Sequence, residues 1–365
     1  MFQFNSLLSL GWGVFQKSHA MSVLPLLATL LTFFGAAVCS YLWQVRAATG
    51  RLTFKGLVEV AFPGDTWKTA SVKTDIIMYF AGKVIRGVLA IGDLLVLMSV
   101  AGSVAWALGR FFPEFITLKP GIGAFILWAI VLFVVGDFSN FLSHFLQHKV
   151  GFLWELHKVH HSATVLNPLT TARMHPLADK FDHLVASALT GIPAGVAVFL
   201  YGFQAIDLGV MMAVANLFGT ILVLDALRHS HFPVSFGWFD RILVSPHMHQ
   251  LHHSARFEEW DLNMGNKLSI WDWMLGMARI PAKNAKMPFG IGRGAAYDQQ
   301  YSSVYGAYVR PILDMAKVLS GQTSVLPDPE FNEAVDRARG SEKGTGELAE
   351  TNLAPVGFLS IGDGV

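Results

Sequence analysis

The chain has 365 residues, of which 53% are hydrophobic and only 15% are charged. Together with a mean hydropathy of +0.45, this composition is too apolar for one soluble core and predicts a membrane protein. The formal net charge is +1, and no lysine- and arginine-rich block with interleaved aromatic residues occurs, which argues against nucleic acid as a partner. Cys39 is the only cysteine, so disulfides within the chain, iron–sulfur clusters and four-thiolate zinc sites are excluded.

Five apolar stretches are long enough, or nearly so, to cross the ~30 Å hydrocarbon layer of a membrane. They run from about Met21 to Val45, Val84 to Leu108, Ile122 to Asn140, Leu184 to Phe203 and Ile206 to Leu227. Pro193 is expected to kink the fourth span, because proline interrupts the hydrogen bonding of a helix. The predicted fold is an all-α, polytopic membrane helical bundle with about four or five spans.

Basic residues set the expected orientation of this bundle. Six lysines and arginines lie between the first two spans and Arg86 lies at the start of the second, whereas the next loop has only Arg110 and Lys119. Positive charge beside a span marks the cytoplasmic side, so the third span is expected to deliver His144 to the cytoplasmic face. The region from Arg228 to about Ile280 is rich in histidine and too polar to span a membrane, which predicts a cytosolic helical cap.

Three regions follow from this pattern. Residues 1–120 are expected to form an N-terminal transmembrane region with a basic cytosolic loop, and residues 121–280 the catalytic domain. Residues 281–365 are expected to form a C-terminal cytosolic extension, with a modest helix near Val304 to Leu319. The composition from Gly321 to Val365 is rich in Gly, Glu, Asp, Pro and Ser, which predicts flexibility after about residue 320.

Histidines are concentrated in the motifs HFLQH, HKVHH and HQLHH, with a further one in RHSH. The candidate metal ligands are His144, His148, His157, His160, His161, His229, His249, His252 and His253. Residues three and four apart share one face of a helix, so each motif aims its imidazoles in one direction. Eight or nine imidazoles exceed the capacity of one ion, which predicts a binuclear site. Imidazole is a suitable ligand for iron, zinc, copper and nickel. A structural zinc site needs only four ligands, so the eight or nine histidines favour iron.

The order of these motifs resembles the fatty acid hydroxylase/sterol desaturase superfamily from about Ala124 to Met277. The resemblance is carried by Asp137-x₃-Phe141-x₂-His144-x₃-His148, HKVHHS, Arg173-Met-His175-Pro-Leu, His229-Ser, SPHMHQLHHS, Asp261-x-Asn263-x-Gly265 and IWDWMLG. It implies a helical membrane enzyme with a cytosol-facing di-iron centre, O₂ as cosubstrate, and the nine histidines as iron ligands. Phe141, Phe145 and Ala178 depart from the residues that the family often has at these positions.

Two further residues are predicted to act in catalysis. Asp137 lies in an apolar run two helical turns before His144, and a carboxylate at membrane depth is functional by default because its burial is costly. We expect it to bind the metal or to support a ligand, with a structural hydrogen bond to a neighbouring helix as the alternative. His175 precedes Pro176 in a polar loop and is expected to line the site, with an N-terminal helix cap as the alternative.

Other side chains carry weaker expectations. Asp272 is predicted to orient a ligand imidazole through its N–H, which is a common arrangement around metal-bound histidines. His183, His231 and His247 are expected at the surface or at the membrane interface.

The function that follows is hydroxylation, with O₂ and two irons, of an unactivated C–H bond in a fatty acyl or sterol-like lipid. An external ferredoxin, cytochrome b₅-like protein or reductase must supply the electrons, because the chain has no HPGG haem motif, dinucleotide fingerprint or cysteine cluster. A desaturase using the same site is one alternative. A membrane metal transporter is another, although it needs ionisable residues across the midplanes of several spans.

Overall fold

The computed structural model of the protein describes residues 30–42, 53–202, 218–282, 285 and 287–322. Within these ranges the regular structure is helical, and the only strand-like pairings are two isolated bridges, Leu243 with Leu268 and Ser254 with Phe289. The predicted all-α class is therefore confirmed.

Three helices are long and apolar enough to cross a membrane: Ile91–Phe111, Ile122–Lys149 and Pro176–Tyr201. They correspond to the second, third and fourth predicted spans. The first predicted span is described only as a shorter apolar helix, α1, Leu30–Leu42. Most of the fifth, from 206 to 217, lies outside the described residues, so the number of spans stays a prediction.

After α1, the chain forms two short helices, α2 (Phe54–Ala61) and α3 (Gly64–Trp67), and then the 42-residue helix α4 (Ala70–Phe111). The Thr69 side chain caps α4 by accepting a hydrogen bond from the Val72 amide. The two halves of α4 differ in character. Its first half buries Ser71, Thr74 and Asp75, whereas its second half exposes an apolar surface suited to lipid.

Helix α5 (Ile122–Lys149) turns sharply at the extended residue Val150 into α6 (Gly151–His161). The turn brings the HFLQH motif, at the end of α5, against the HKVHH motif of α6. A 3-10 turn at Pro168–Ala172 leads to α7 (Pro176–Tyr201), which packs along both α4 and α5.

Close contact between α4 and α7 depends on small residues. A Cβ added at Gly195 would lie 2.5 Å from the Ala101 carbonyl oxygen, so only glycine fits at that position. Pro193 lies inside α7, as the sequence predicted. Small residues at such contacts let helix backbones approach each other within a membrane.

The remaining helices form a cap at one end of α5. They are α8 (Asp225–Arg228), α9 (Pro246–His252), α10 (Ile270–Met274), α11 (Ala295–Gln299), α12 (Val304–Tyr308) and α13 (Arg310–Leu319). The helix expected near Val304 to Leu319 is thus present as two helices separated by Val309. Residues 323–365, where flexibility was predicted, lie outside the described part of the chain.

Candidate metal centre

The nine predicted ligands form two adjacent groups of imidazoles. Group 1 contains His144, His148, His157, His161 and His252, and group 2 contains His160, His229, His249 and His253. In each group one possible ligand atom from every histidine lies within 4.8 Å of the others. Each HxxHH motif supplies both groups, because neighbouring histidines on one helix point to different sides. The arrangement is that of two cation positions next to each other.

Distances between ring nitrogens support a shared cation in each group. In group 2 the Nε2 atom of His229 lies 3.2 Å from that of His160 and 3.0 Å from those of His249 and His253. In group 1 the Nε2 atoms of His148 and His161 are 3.1 Å apart. Two nitrogens bound at right angles to one ion at ~2.1 Å are ~3.0 Å apart. The separations therefore fit ligands of one metal ion.

Several of these nitrogens have no hydrogen-bond partner among the described residues. They include the buried Nε2 atoms of His144, His157 and His252, all in group 1. A buried polar atom without a partner costs about 1–3 kcal/mol. Unpaired nitrogens that face their neighbours in this way fit metal ligation.

A loop at residues 261–268, which we call the support loop, orients group 1 from outside. Its contacts with the Nδ1 atoms are those of His144 with the Met264 carbonyl (2.9 Å), His252 with the Leu262 carbonyl (2.9 Å) and His148 with the Asp261 carboxylate (3.0 Å). An Nδ1 that donates a proton to oxygen leaves the Nε2 lone pair free for a metal. The loop therefore fixes the tautomer as well as the direction of three ligands.

The backbone of the support loop is unusual. Asp261 and Asn263 have φ angles of 62° and 53°, in the left-handed region that asparagine and aspartate tolerate better than most residues. Gly265 is required for space, since a Cβ there would lie 2.6 Å from the Asp272 carboxylate. These residues match the Asp261-x-Asn263-x-Gly265 pattern in the sequence, and the loop conformation gives the pattern a physical reason.

Asp137 anchors the support loop to α5. Its carboxylate, 1% exposed, accepts hydrogen bonds from the Lys267 amide (2.8 Å), the Leu268 amide (3.1 Å) and the Trp271 indole (2.9 Å). It belongs to neither histidine group. Asp137 thus acts on His144 only indirectly, through the support loop that carries Met264, the partner of His144.

Asp272 also contacts the loop, accepting from the Met264 amide (2.8 Å) and the Gly265 amide (2.9 Å). We predicted a direct contact between Asp272 and a ligand imidazole, and the structure shows backbone contacts instead. Burial raises the pKa of Asp272 to about 7.

His175 lies outside both groups. Its Nδ1 accepts a hydrogen bond from the Leu177 amide (3.2 Å), which caps α7, and its Nε2 donates to the Tyr308 carbonyl (3.0 Å). Both ring nitrogens are thus used in structural contacts, as in the helix-cap alternative.

The three histidines that were expected at the surface or at the membrane interface differ in their exposure. The side chain of His183 is 56% exposed, as expected. His247 is only 3% exposed, contrary to the prediction, because it lies in the first turn of the buried helix α9. His231 is part-buried, and its Nε2 donates to the Val60 carbonyl (2.8 Å).

Arg228 was not predicted from the sequence, although it directly precedes His229. One of its terminal nitrogens donates to the Nδ1 of His249 (3.1 Å) and to the Gly265 carbonyl (3.1 Å). Group 2 is thereby joined to the support loop.

A buried ion pair holds the last turn of α6. The Arg173 guanidinium donates to the Val159 carbonyl (3.0 Å), the Ser162 hydroxyl (2.9 Å) and the Asp75 carboxylate (3.1 Å). The other Asp75 oxygen accepts from the Asn167 side chain (2.6 Å). Both charged groups are fully buried. Since α6 carries three of the nine histidines, this pair fixes them against α4.

Burial keeps the imidazoles of the cap neutral. It lowers the pKa of His160 to about 3. The pKa values of His157, His161, His229, His249, His252 and His253 are lowered well below the ordinary range, first by burial and then by the neighbouring histidines, with Arg228 contributing at His229, His249 and His252. Neutral imidazole is the form that binds metals. The site is therefore ready to accept cations at neutral pH.

Comparison with known proteins points to one family. Residues 129–277 match the family model described as fatty acid hydroxylase, and this segment contains all nine histidines. Ornithine lipid hydroxylase OlsE of Rhizobium tropici is 31% identical over 163 residues, which cover 43% of this chain and 44% of the relative.

Two alkylglycerol monooxygenases are more distant relatives. That of Caenorhabditis elegans is 26% identical over 40% of this chain and 26% of its own length, and that of Homo sapiens is 26% identical over 42% and 31%. The chain thus spans less than half the length of these curated relatives. No solved structure matches it.

Proposed function

We propose that this chain, of which residues 129–277 match the family model described as fatty acid hydroxylase, is an O₂-dependent membrane lipid hydroxylase with two irons. The observation that carries this proposal is the pair of buried, neutral imidazole groups of five and four histidines. When bound there, iron supplies the activation of O₂ and the attack on a C–H bond. All nine histidines are proposed as its ligands.

The remaining residues of the site hold these ligands in place. The support loop fixes the Nε2 atoms of His144, His148 and His252 toward group 1, and Arg228 contacts group 2. We assign Asp137 the role of positioning this loop. For His175 we propose support of the fold as the cap of α7, because both of its ring nitrogens are already engaged.

An apolar cluster lies beside group 1. Phe141, Met264 and Met277 are buried there, and Phe145 and Trp271 pack against them. Met264 also provides the carbonyl that contacts His144, so the cluster borders the metal position. The names of the relatives, which refer to an ornithine lipid and to alkylglycerols, favour a fatty acyl or similar lipid.

We propose that a ferredoxin, a cytochrome b₅-like protein or a reductase supplies the electrons. The basic residues of the N-terminal region support a cytoplasmic position for the cap. Topology reporters fused near Gly50 and near Lys267 should both report the cytoplasm. Opposite locations would refute this orientation without affecting the proposed chemistry.

The activity is tested by incubating the iron-loaded protein with membrane lipids, a reducing system and ¹⁸O₂. We expect a lipid product that has gained one labelled oxygen atom, detected by mass spectrometry, and no such product with the His160→Ala variant. A product that has lost two hydrogens without gaining the label would identify a desaturase. Fully loaded protein that yields neither product from a whole lipid extract would contradict the proposal.

A further inference from the structure

Helices α12 and α13 present an exposed apolar face. Tyr305 is 59% exposed, and Val309, Ile312 and Leu313 are between 40% and 46% exposed. Their spacing of four, seven and eight residues from Tyr305 places them on one side of a helix. Leu319, at the end of α13, is 63% exposed. Large contiguous apolar surfaces of this kind on a protein mark a contact with a membrane or a partner.

The opposite face of the two helices is fixed to the body of the protein. Pro311 is buried, and the Asp314 carboxylate accepts from the Tyr301 hydroxyl (3.4 Å) and pairs with Lys158 of α6 (3.6 Å). The direction of the apolar face is therefore set by packing against α6.

Contacts of α12 place the apolar face of α12 and α13 at the same depth as the ends of the apolar spans. The Tyr308 carbonyl accepts a hydrogen bond from His175, the cap of α7. In the next turn of α7, Asp179 pairs with Arg86 of α4 (3.9 Å), and Lys180 pairs with Asp93. Charged residues gather where helices leave the hydrocarbon layer. Tyr308 thus lies at the boundary of that layer.

We propose that the apolar face of α12 and α13 lies in the headgroup region of the lipid bilayer, parallel to its surface. Tyr305 is of a type enriched at membrane interfaces. Arg310 and Lys317 lie at one edge of the apolar face, where both pair with Asp314 (3.5 Å and 2.8 Å). Because α13 packs on α6, such docking holds the helix that carries His157, His160 and His161 at the membrane surface. This inference does not depend on the proposed oxygenase activity.

Site-directed spin labelling tests the proposal on the full chain in lipid vesicles. The exposed Cys39 is first replaced by serine, and single cysteines are then introduced as Val309→Cys, Ile312→Cys and, as the polar control, Lys317→Cys. The label at positions 309 and 312 should collide more often with O₂, which dissolves in lipid, than with a water-soluble nickel chelate. The control, on a side chain that is 55% exposed, should show the reverse preference.

Two other outcomes would overturn the proposal. If both reagents reach the labels at 309 and 312 and the nickel chelate collides more often than O₂, the face lies in water. Shielding from both reagents would show that protein covers it, either another part of the chain or another molecule. Metal content equal to that of the Cys39→Ser parent shows that the labelled variants are folded.

Discussion

Replacement of Asp137 by asparagine removes the charge that holds the support loop next to group 1, while it keeps the shape of the side chain. The carboxylate now accepts three hydrogen bonds, two on one oxygen and one on the other. An amide has a single acceptor oxygen, and its NH₂ group must face at least one N–H of the support loop. One buried donor is then left unpaired, and the remaining bonds lose their ionic character.

The expected cost follows from these contacts. An unpaired buried donor costs about 1–3 kcal/mol, and the other hydrogen bonds lose the extra strength of a charged acceptor, so we expect a loss of ~2–4 kcal/mol in unfolding free energy. The support loop carries Met264, the partner of His144. Loss of such support around a metal ligand typically lowers metal affinity or activity ~10–100-fold.

The assay is the rate of iron loss to a chelator, measured on the variant and on the parent protein in the same detergent. Asp240→Asn is the matched control, because Asp240 is also fully buried, accepts from the Ser235 hydroxyl and the Phe236 amide, and belongs to neither histidine group. We expect faster iron loss only for Asp137→Asn, with part of the iron retained. Parent-like iron retention in Asp137→Asn would refute the assigned role of this residue.

Three further predictions concern the ligands, the buried ion pair and pH. His160→Ala and His252→Ala should each deplete metal and abolish turnover while the protein stays inserted in the membrane, and metal analysis against the exposed control His183→Ala checks this; parent-like metal content would refute the ligand assignment. Arg173→Ala leaves Asp75 as an unpaired buried charge and should cost about 3–5 kcal/mol of stability, measured by denaturant unfolding, whereas an unchanged midpoint would show that the pair does not clamp α6. The metal-free protein should lose thermal stability as pH falls from about 7 to 5, because unfolded histidines take up protons below a pKa of ~6.5 while burial lowers the pKa of His160 to about 3; a melting temperature independent of pH in this range would contradict the buried, neutral state.

Much of the candidate metal centre was predictable because its histidines follow helical periodicity. HFLQH, HKVHH and HQLHH each place imidazoles on neighbouring faces, and the structure brings all nine histidines together. Periodicity alone does not tell which histidine joins which group. That division depends on the rotation of α6 and α9 relative to α5, which is a property of the packed structure.

Other features depend on contacts between distant parts of the chain. Asp137 lies in α5 but acts on the amides of Lys267 and Leu268, about 130 positions later. The carbonyls of Leu262 and Met264 have no side-chain signal at all, since any residue offers a carbonyl oxygen. His175 was assigned to the site from its motif, yet the backbone beside Pro176 uses it as a helix cap. The motifs therefore predicted which histidines come together better than they predicted the contacts of the surrounding residues.

The most direct test of this account is the number of irons bound per chain after anaerobic reconstitution, measured by elemental analysis against quantitative amino-acid analysis. Two groups of imidazoles, each with nitrogens spaced for one ion, predict about two irons per chain. The His160→Ala variant, which lacks a group 2 ligand, should bind fewer. A stoichiometry of one iron per chain at saturation, unchanged by loss of His160, would contradict the binuclear site.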